Sequence, residues 1–288
     1  MALLRQTEEG ARAFDVLLLG PVCARGEAGE LDIRGARPLA LLSLLALQAG
    51  ERVSADDLVE GIWGDEPPTQ ARHALHVFVS TLRASLGPDA IETCRGSYRL
   101  QVEPSCVDAL RFRSTVRGLN GDRSAQALGN LREVLGLWRG SALGGAAGSA
   151  RLRTVAAALD EERLEALERR VDIELDLGGG AELIGELTEL VAANPLRERL
   201  RAQLMTALYR DGRQVDALAS YREAREFLTG ALGLDPGPEL RQLEQAILRQ
   251  DPALAARPVR AGKDELVRTA YALLTLAAAI GAAGPPSG

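Results

Sequence analysis

From Ser54 to Leu86 the chain reads SADDLVEGIWGDEPPTQARHALHVFVSTLRASL, a stretch that admits few conformations. Ser54 with Asp57 three residues on forms a near-capping box and predicts a helix start. That helix runs out around Trp63-Gly64. Asp65-Glu66-Pro67-Pro68 cannot be helical throughout, because each proline lacks a donor and restricts the residue before it. Thr69 is then expected to cap a second helix. There Leu75, Phe78, Val79, Leu82 and Leu86 repeat at the spacing of a helix buried on one side. Two helices at a sharp turn are thereby required.

The other face of the second helix carries chemistry. Arg72, His76, Ser80 and Arg83 share a solvent-facing strip. Between Thr69 and Leu86 there is no Asp or Glu, in a chain of net charge −6. A braced helix with a basic, hydrogen-bonding outer strip is what reading the DNA major groove requires. An ordinary helical hairpin with a solvated face fits the segment too.

With 288 residues the chain has length for about two domains. Aromatics make up 3 %, so the core must be built from Leu, Ala and Val. The three cysteines, Cys23, Cys94 and Cys106, are scattered, and the two histidines sit together on one helix. No metal site and no cofactor is therefore expected. Unpaired cysteines and the lack of a signal core in Met1–Arg12 lead us to expect a cytoplasmic, nucleoid-associated protein with no membrane partner. The apolar run Leu273–Ala283 is too short to span a bilayer. Residues 1–104 hold ten arginines against fifteen acids, so any DNA binding must use a local patch and not bulk charge.

Taken in order, residues 1–13 look like a disordered start. Short strands are expected at Phe14–Gly20, Val22–Ala24 and Glu30–Ile33. Arg37–Gln48 reads as a core helix. Beyond the helix pair, Ala90–Cys94 and Tyr98–Val102 flank Arg95-Gly96-Ser97 as a hairpin carrying Arg95 and Arg99. Three strands, three helices and a hairpin make a winged helix-turn-helix with an added N-terminal sheet, over residues 14–104. From Asp108 only helices are expected: 108–119, 124–138, 151–177, 181–193, 196–210, 214–232 and 238–249. Gly140–Ser149 is expected to be a flexible interruption. Residues 105–252 form the second domain.

A repeat runs through it. Gly178 and Gly212 lie 34 residues apart, and at the same offset Leu183 matches Ala217, Leu187 matches Tyr221, Leu190 matches Ala224, Val171 matches Met205 and Leu175 matches Tyr209. About 34 residues is the tetratricopeptide period. A plain bundle is the alternative. The overall expectation is a mainly α protein, all-α and tetratricopeptide-like in its second half. The tail 253–288 has one possible helix, Asp264–Ile280.

With both halves read, Leu19-Gly20-Pro21-Val22, Ala40–Leu47, Asp57–Pro68, Ser80–Gly87 and Gly96–Val102 resemble the DNA-binding domain of the Streptomyces antibiotic regulatory proteins. Asn194–Pro238 is similar to the bacterial transcriptional activation domain of that family, as is Trp138-Arg139-Gly140. The resemblance covers about residues 14–252. It implies an activator that binds direct repeats in double-stranded promoter DNA as a dimer or side-by-side pair. It also implies recruitment of the RNA polymerase holoenzyme, commonly at an antibiotic gene cluster. Recognition would fall on the third helix and the wing, here Arg72, His73, His76, Ser80 and Arg83 with Arg95, Ser97, Tyr98 and Arg99. Thr81 and Ala84 stand where family members often carry more arginine. There is no phosphate-binding G-x-x-x-x-G-K-[ST] motif.

Other classes remain to be set against this. A helical-repeat adaptor or ligand-responsive regulator with weak DNA affinity would fit the acidic first half. An enzyme is not expected. The only two histidines lie three residues apart on a helix that needs them outside, so a Ser-His-Asp site is not expected. Acid pairs such as Glu161-Glu162 are explained by a solvated helical face.

Overall fold

The computed structural model describes residues 14–254. The start 1–13, the tail from 255 and its possible helix at Asp264–Ile280 lie outside them. The described chain divides into two compact units, one ending at Ile173 and one starting at Glu174.

The first unit opens on a three-stranded antiparallel sheet of β1 (Asp15–Leu17), β2 (Cys23–Gly26) and β3 (Gly29–Leu31), with Val16 opposite Ala24 and Arg25 opposite Glu30. Next comes α1 (Ala36–Ala46), whose residues from Ala40 to Ala46 are all buried. A helix apolar around its circumference has to be enclosed. Its buried Ser43 donates to the Leu39 carbonyl at 2.8 Å, so the hydroxyl is satisfied within the helix. Helix α2 (Ala55–Trp63) is capped as its sequence requires, Ser54 Oγ accepting from the Asp57 N–H at 3.0 Å. It meets α1 at Gly61, where a Cβ would stand 2.6 Å from Leu44 Cδ1, so a larger residue there would require Leu44 to move.

Helix α3 (Ala71–Leu86) starts one residue later than the Thr69 cap implies. Gln70 flanks it and no side chain caps it. The Pro68 carbonyl instead accepts from the Ala71 N–H at 2.9 Å. A backbone turn built on Pro68 satisfies a free helix-end donor, which removes the need for a hydroxyl. The wing follows as β5 (Ile91–Cys94) and β6 (Ser97–Leu100). A two-residue strand that the sequence did not announce, β4 (Val53–Ser54), completes a sheet in the order β4-β6-β5.

Helices α4 (Asp108–Gly118), α5 (Ala125–Leu135) and α6 (Ala150–Asp176) come next, and residues through Ile173 share one apolar core with the winged helix. The joint is Asp108, 2 % exposed. Its carboxylate accepts from the backbone N–H groups of Leu18 (2.6 Å), Leu19 (3.1 Å) and Ala109 (2.7 Å). Helix α5 stops at Leu135, short of the expected Trp138. Trp138 leaves the helix to meet Phe112 edge-on at 5.5 Å, under the Arg163 guanidinium at 5.0 Å.

The expectation of flexibility over Gly140–Ser149 is overturned. The Leu143 and Gly144 N–H groups donate to Leu18 and Gly20 (2.8 and 2.9 Å), and the Val22 N–H donates to Gly144 (3.0 Å). Ser149 Oγ donates to the Gly61 carbonyl at 2.5 Å. The small residues are there for close approach, since a Cβ on Gly144 would lie 3.2 Å from Pro21. Glycine content alone cannot tell such a loop from a linker.

The second unit is helical among the described residues: α7 (Ile184–Ala193), α8 (Glu198–Arg210), α9 (Gln214–Leu232) and α10 (Pro238–Leu248). Gly178 and Gly212 both take positive φ (+94° and +78°), ending a helix at equivalent points of the 34-residue spacing. The matched positions Leu183 and Ala217, and Leu187 and Tyr221, are all buried. Arg210 Nη1 donates to the Leu175 carbonyl at 2.5 Å, tying off a helix end. Arg201 is 8 % exposed and donates from Nη1 to Ser220 Oγ and Glu223 Oε2, both at 3.2 Å. The architecture is thus a winged helix-turn-helix with an added sheet, followed by tetratricopeptide-like helices.

Candidate nucleic-acid interface

Helix α3 buries Ala71, Leu75, Val79, Leu82 and Leu86 against α1 and α2. About 3.6 residues per turn then fix what faces away: His73, Val77, Ser80 and Ala84 form the outermost stripe. All four are exposed, as are Arg72 and His76 beside them. The strip anticipated from sequence, Arg72/His76/Ser80/Arg83, is therefore the flank of the outer face nearer the wing, and Ser80 alone belongs to both.

Contacts along that flank are intramolecular. Arg72 Nη2 donates to Asp56 Oδ1 on α2 at 2.6 Å, with both side chains largely in solvent. His76 approaches Tyr98 edge-on, ring centroids 6.3 Å apart. Arg83 is half-buried and donates through Nε (3.0 Å) and Nη2 (2.6 Å) to the Ile91 carbonyl and through Nη2 to Thr93 Oγ1 (2.7 Å). Its planar fork fastens the end of α3 to the first wing strand. The Ser80 hydroxyl donates to its own helix, at the His76 carbonyl (3.0 Å).

The wing separates its residues by strand alternation. Arg95 is exposed at the hairpin tip, beside Gly96 with φ +69°, a left-handed value suited to glycine. Ser97 is half-buried. Tyr98 is 4 % exposed and points into the core between Val53 and Thr93, and burial raises its hydroxyl pKa. Arg99 is half-buried and ion-paired with Glu92, its cross-strand neighbour, which also accepts from Gln101 at 2.9 Å. The Arg99 guanidinium holds the Glu92 carboxyl below the ordinary carboxylate range. Arg72, His73, His76, Ser80 and Arg95 are thus exposed, Arg72 within its ion pair to Asp56, while Arg83, Tyr98 and Arg99 are engaged in holding helix and wing together. Sequence reasoning missed Val77, Asp56 and Glu92. Helical position alone could have found Val77, and the hairpin register could have found Glu92.

Among the described residues no group of three His, Cys, Asp or Glu is arranged to hold a metal, and no helix is long and apolar enough to cross a membrane.

A braced, acid-free helix beside a hairpin wing, followed in the chain by helical repeats, defines a winged-helix transcriptional regulator. Comparison with known proteins agrees. Residues 34–100 match the family model "Transcriptional regulatory protein, C terminal", and residues 107–248 match "Bacterial transcriptional activator domain". The chain is 35 % identical to the regulatory protein DnrI of Streptomyces peucetius, covering 84 % of this chain and 94 % of that one. It is 42 % identical to the regulatory protein AfsR of Streptomyces coelicolor over 87 % of this chain. It spans only 25–26 % of the length of that protein and its Streptomyces griseus counterpart. A solved structure of Mycobacterium tuberculosis EmbR, in complex with a low-affinity phosphopeptide, superposes with TM-score 0.76 at 30 % identity. It covers 93 % of this chain and 71 % of that one. The chain belongs to the Streptomyces antibiotic regulatory protein family; its relatives are transcriptional regulators, not enzymes.

Proposed function

We propose that this regulator is a sequence-specific DNA-binding activator. It places α3 in the major groove of promoter direct repeats as a side-by-side pair, and its helical half recruits the RNA polymerase holoenzyme. Its target would be a secondary-metabolite gene cluster, reached in the cytoplasm at the nucleoid. The observation that carries the reading is the acid-free outer face of α3, exposed along Arg72, His73, His76 and Ser80, together with the exposed Arg95 at the tip of the wing. Arg95 contacts a phosphate or enters the minor groove, and Arg72 reaches a base edge once it leaves Asp56. The helical repeat, residues 105–252 in the sequence-based division, supplies the surface for polymerase.

Fluorescence anisotropy of the purified chain on its own upstream promoter and on a scrambled duplex, at two salt concentrations, tests this. Promoter binding should be tighter, and log K should fall with log salt at a slope of about −2 to −4 per subunit, the range for two to four neutralised phosphates. Equal, negligible binding to both duplexes would refute the reading in favour of an adaptor that works through its helical half.

A further inference from the structure

The middle of the outer face of α3 is poor in polar groups. Val77, a β-branched apolar side chain at the centre of that face, is 50 % exposed. A β-branched residue is also a weak helix former there, so local preference does not explain it. On either side, the hydroxyls of Ser80 and Thr81 are spent on the carbonyls of His76 and Val77 at 3.0 Å each, and Ala84 is exposed with nothing to donate. A solvated surface helix has no use for such a stripe. A groove-reading helix does, because one base alone presents a methyl group in the major groove, and that base is thymine.

We infer that Val77 is a specificity-determining residue that packs against a thymine C5-methyl, so that this regulator selects its site partly by apolar contact. The inference rests on the DNA-binding reading above. Charge complementarity commits the stripe to DNA: no acid lies between Thr69 and Leu86, and the exposed Arg72 lies on the same helix beside the stripe. Sparse arginine late in the helix, with Thr81 and Ala84 in place, belongs to the same design. Phosphate contacts at the margins position the helix, and the centre reads a methyl.

The test uses the full chain and promoter duplexes in which thymines of the bound site are replaced singly by deoxyuridine, which pairs identically and lacks only the methyl. A buried methyl is worth roughly a fourfold change in affinity. Wild type should lose about that factor at one thymine per repeat. V77A should bind the intact site about fifteenfold more weakly, for two methyls lost, and be indifferent to uridine there. V77T, which keeps the shape and one methyl, should fall between. Alanine is a better helix former than valine, so circular dichroism should show an unchanged fold. Promoter binding that ignores every uridine, or V77A that keeps the wild-type sensitivity, overturns the role of Val77 and leaves DNA binding standing. A Val77-dependent dimer with unchanged DNA readings assigns the stripe to a second copy and overturns it too. Failure to distinguish promoter from scrambled duplex at all removes the DNA-binding reading itself, and the inference with it.

Discussion

Replacing Asp108 by asparagine strikes the joint of the first unit. The carboxylate spreads two oxygens over three backbone N–H donors, with Arg139 Nη2 3.8 Å from Oδ2. Asparagine keeps the shape but turns one acceptor into a donor. At least one buried N–H loses its partner and a new N–H₂ confronts it. An unsatisfied buried donor costs about 1–3 kcal/mol, and the loss of charge-assisted character on the remaining bonds brings the total to about 2–4 kcal/mol. Burial is the largest influence on Asp108 and raises its pKa, ahead of the N–H donors and Arg139, which lower it. The folded state then binds the proton more readily than the unfolded state. This group's contribution is fully present below its unfolded pKa and declines as pH rises through the raised one. Urea unfolding of wild type and D108N between about pH 3.5 and 7 measures both effects. The gap between them should narrow as pH rises. A gap under about 0.5 kcal/mol throughout, or one that widens with pH, would refute the assigned role.

Two further predictions concern the wing. E92Q removes the acid that holds Arg99 and should steepen the salt dependence of promoter binding by up to about 0.9 in log–log slope, for one more phosphate neutralised; an unchanged slope would mean that Arg99 stays off the DNA. R83K should lower stability by about 1–2 kcal/mol in thermal unfolding, because one ammonium cannot reproduce the fork on Ile91 and Thr93; a wild-type melting curve would show that the wing holds without it.

Most elements were legible because their signals are local. The Ser54 cap, the Pro67-Pro68 break and the apolar periodicity of α3 act within a few residues of themselves. The all-apolar sequence of α1 announced burial before any partner was known. What escaped depends on distant partners. Gly140–Ser149 is held by backbone groups of Leu18, Gly20 and Val22, over a hundred residues upstream, and by the Gly61 carbonyl and Asp160 carboxylate. Asp56 meets Arg72 across an interhelical turn. Of the candidate site, the exposure of Arg72, His76 and Arg95 was legible in the sequence, but not that Arg83 points into the wing. Tyr98 was readable from strand alternation, since its neighbours Ser97 and Arg99 take the outer face and Leu100 follows it inward.

The pairing of Asp108 with Leu18 and Leu19, and of Ser149 with Gly61, bears on how such regulators exchange promoter preference. A recombination junction between Glu103 and Asp108 looks natural in the sequence, yet it would part Leu18 and Leu19 from the Asp108 carboxylate and Gly61 from Ser149. A chimera that carries a different winged helix keeps these joints matched only if α4, α5 and the start of α6 travel with it. The portable module is longer than the winged helix itself.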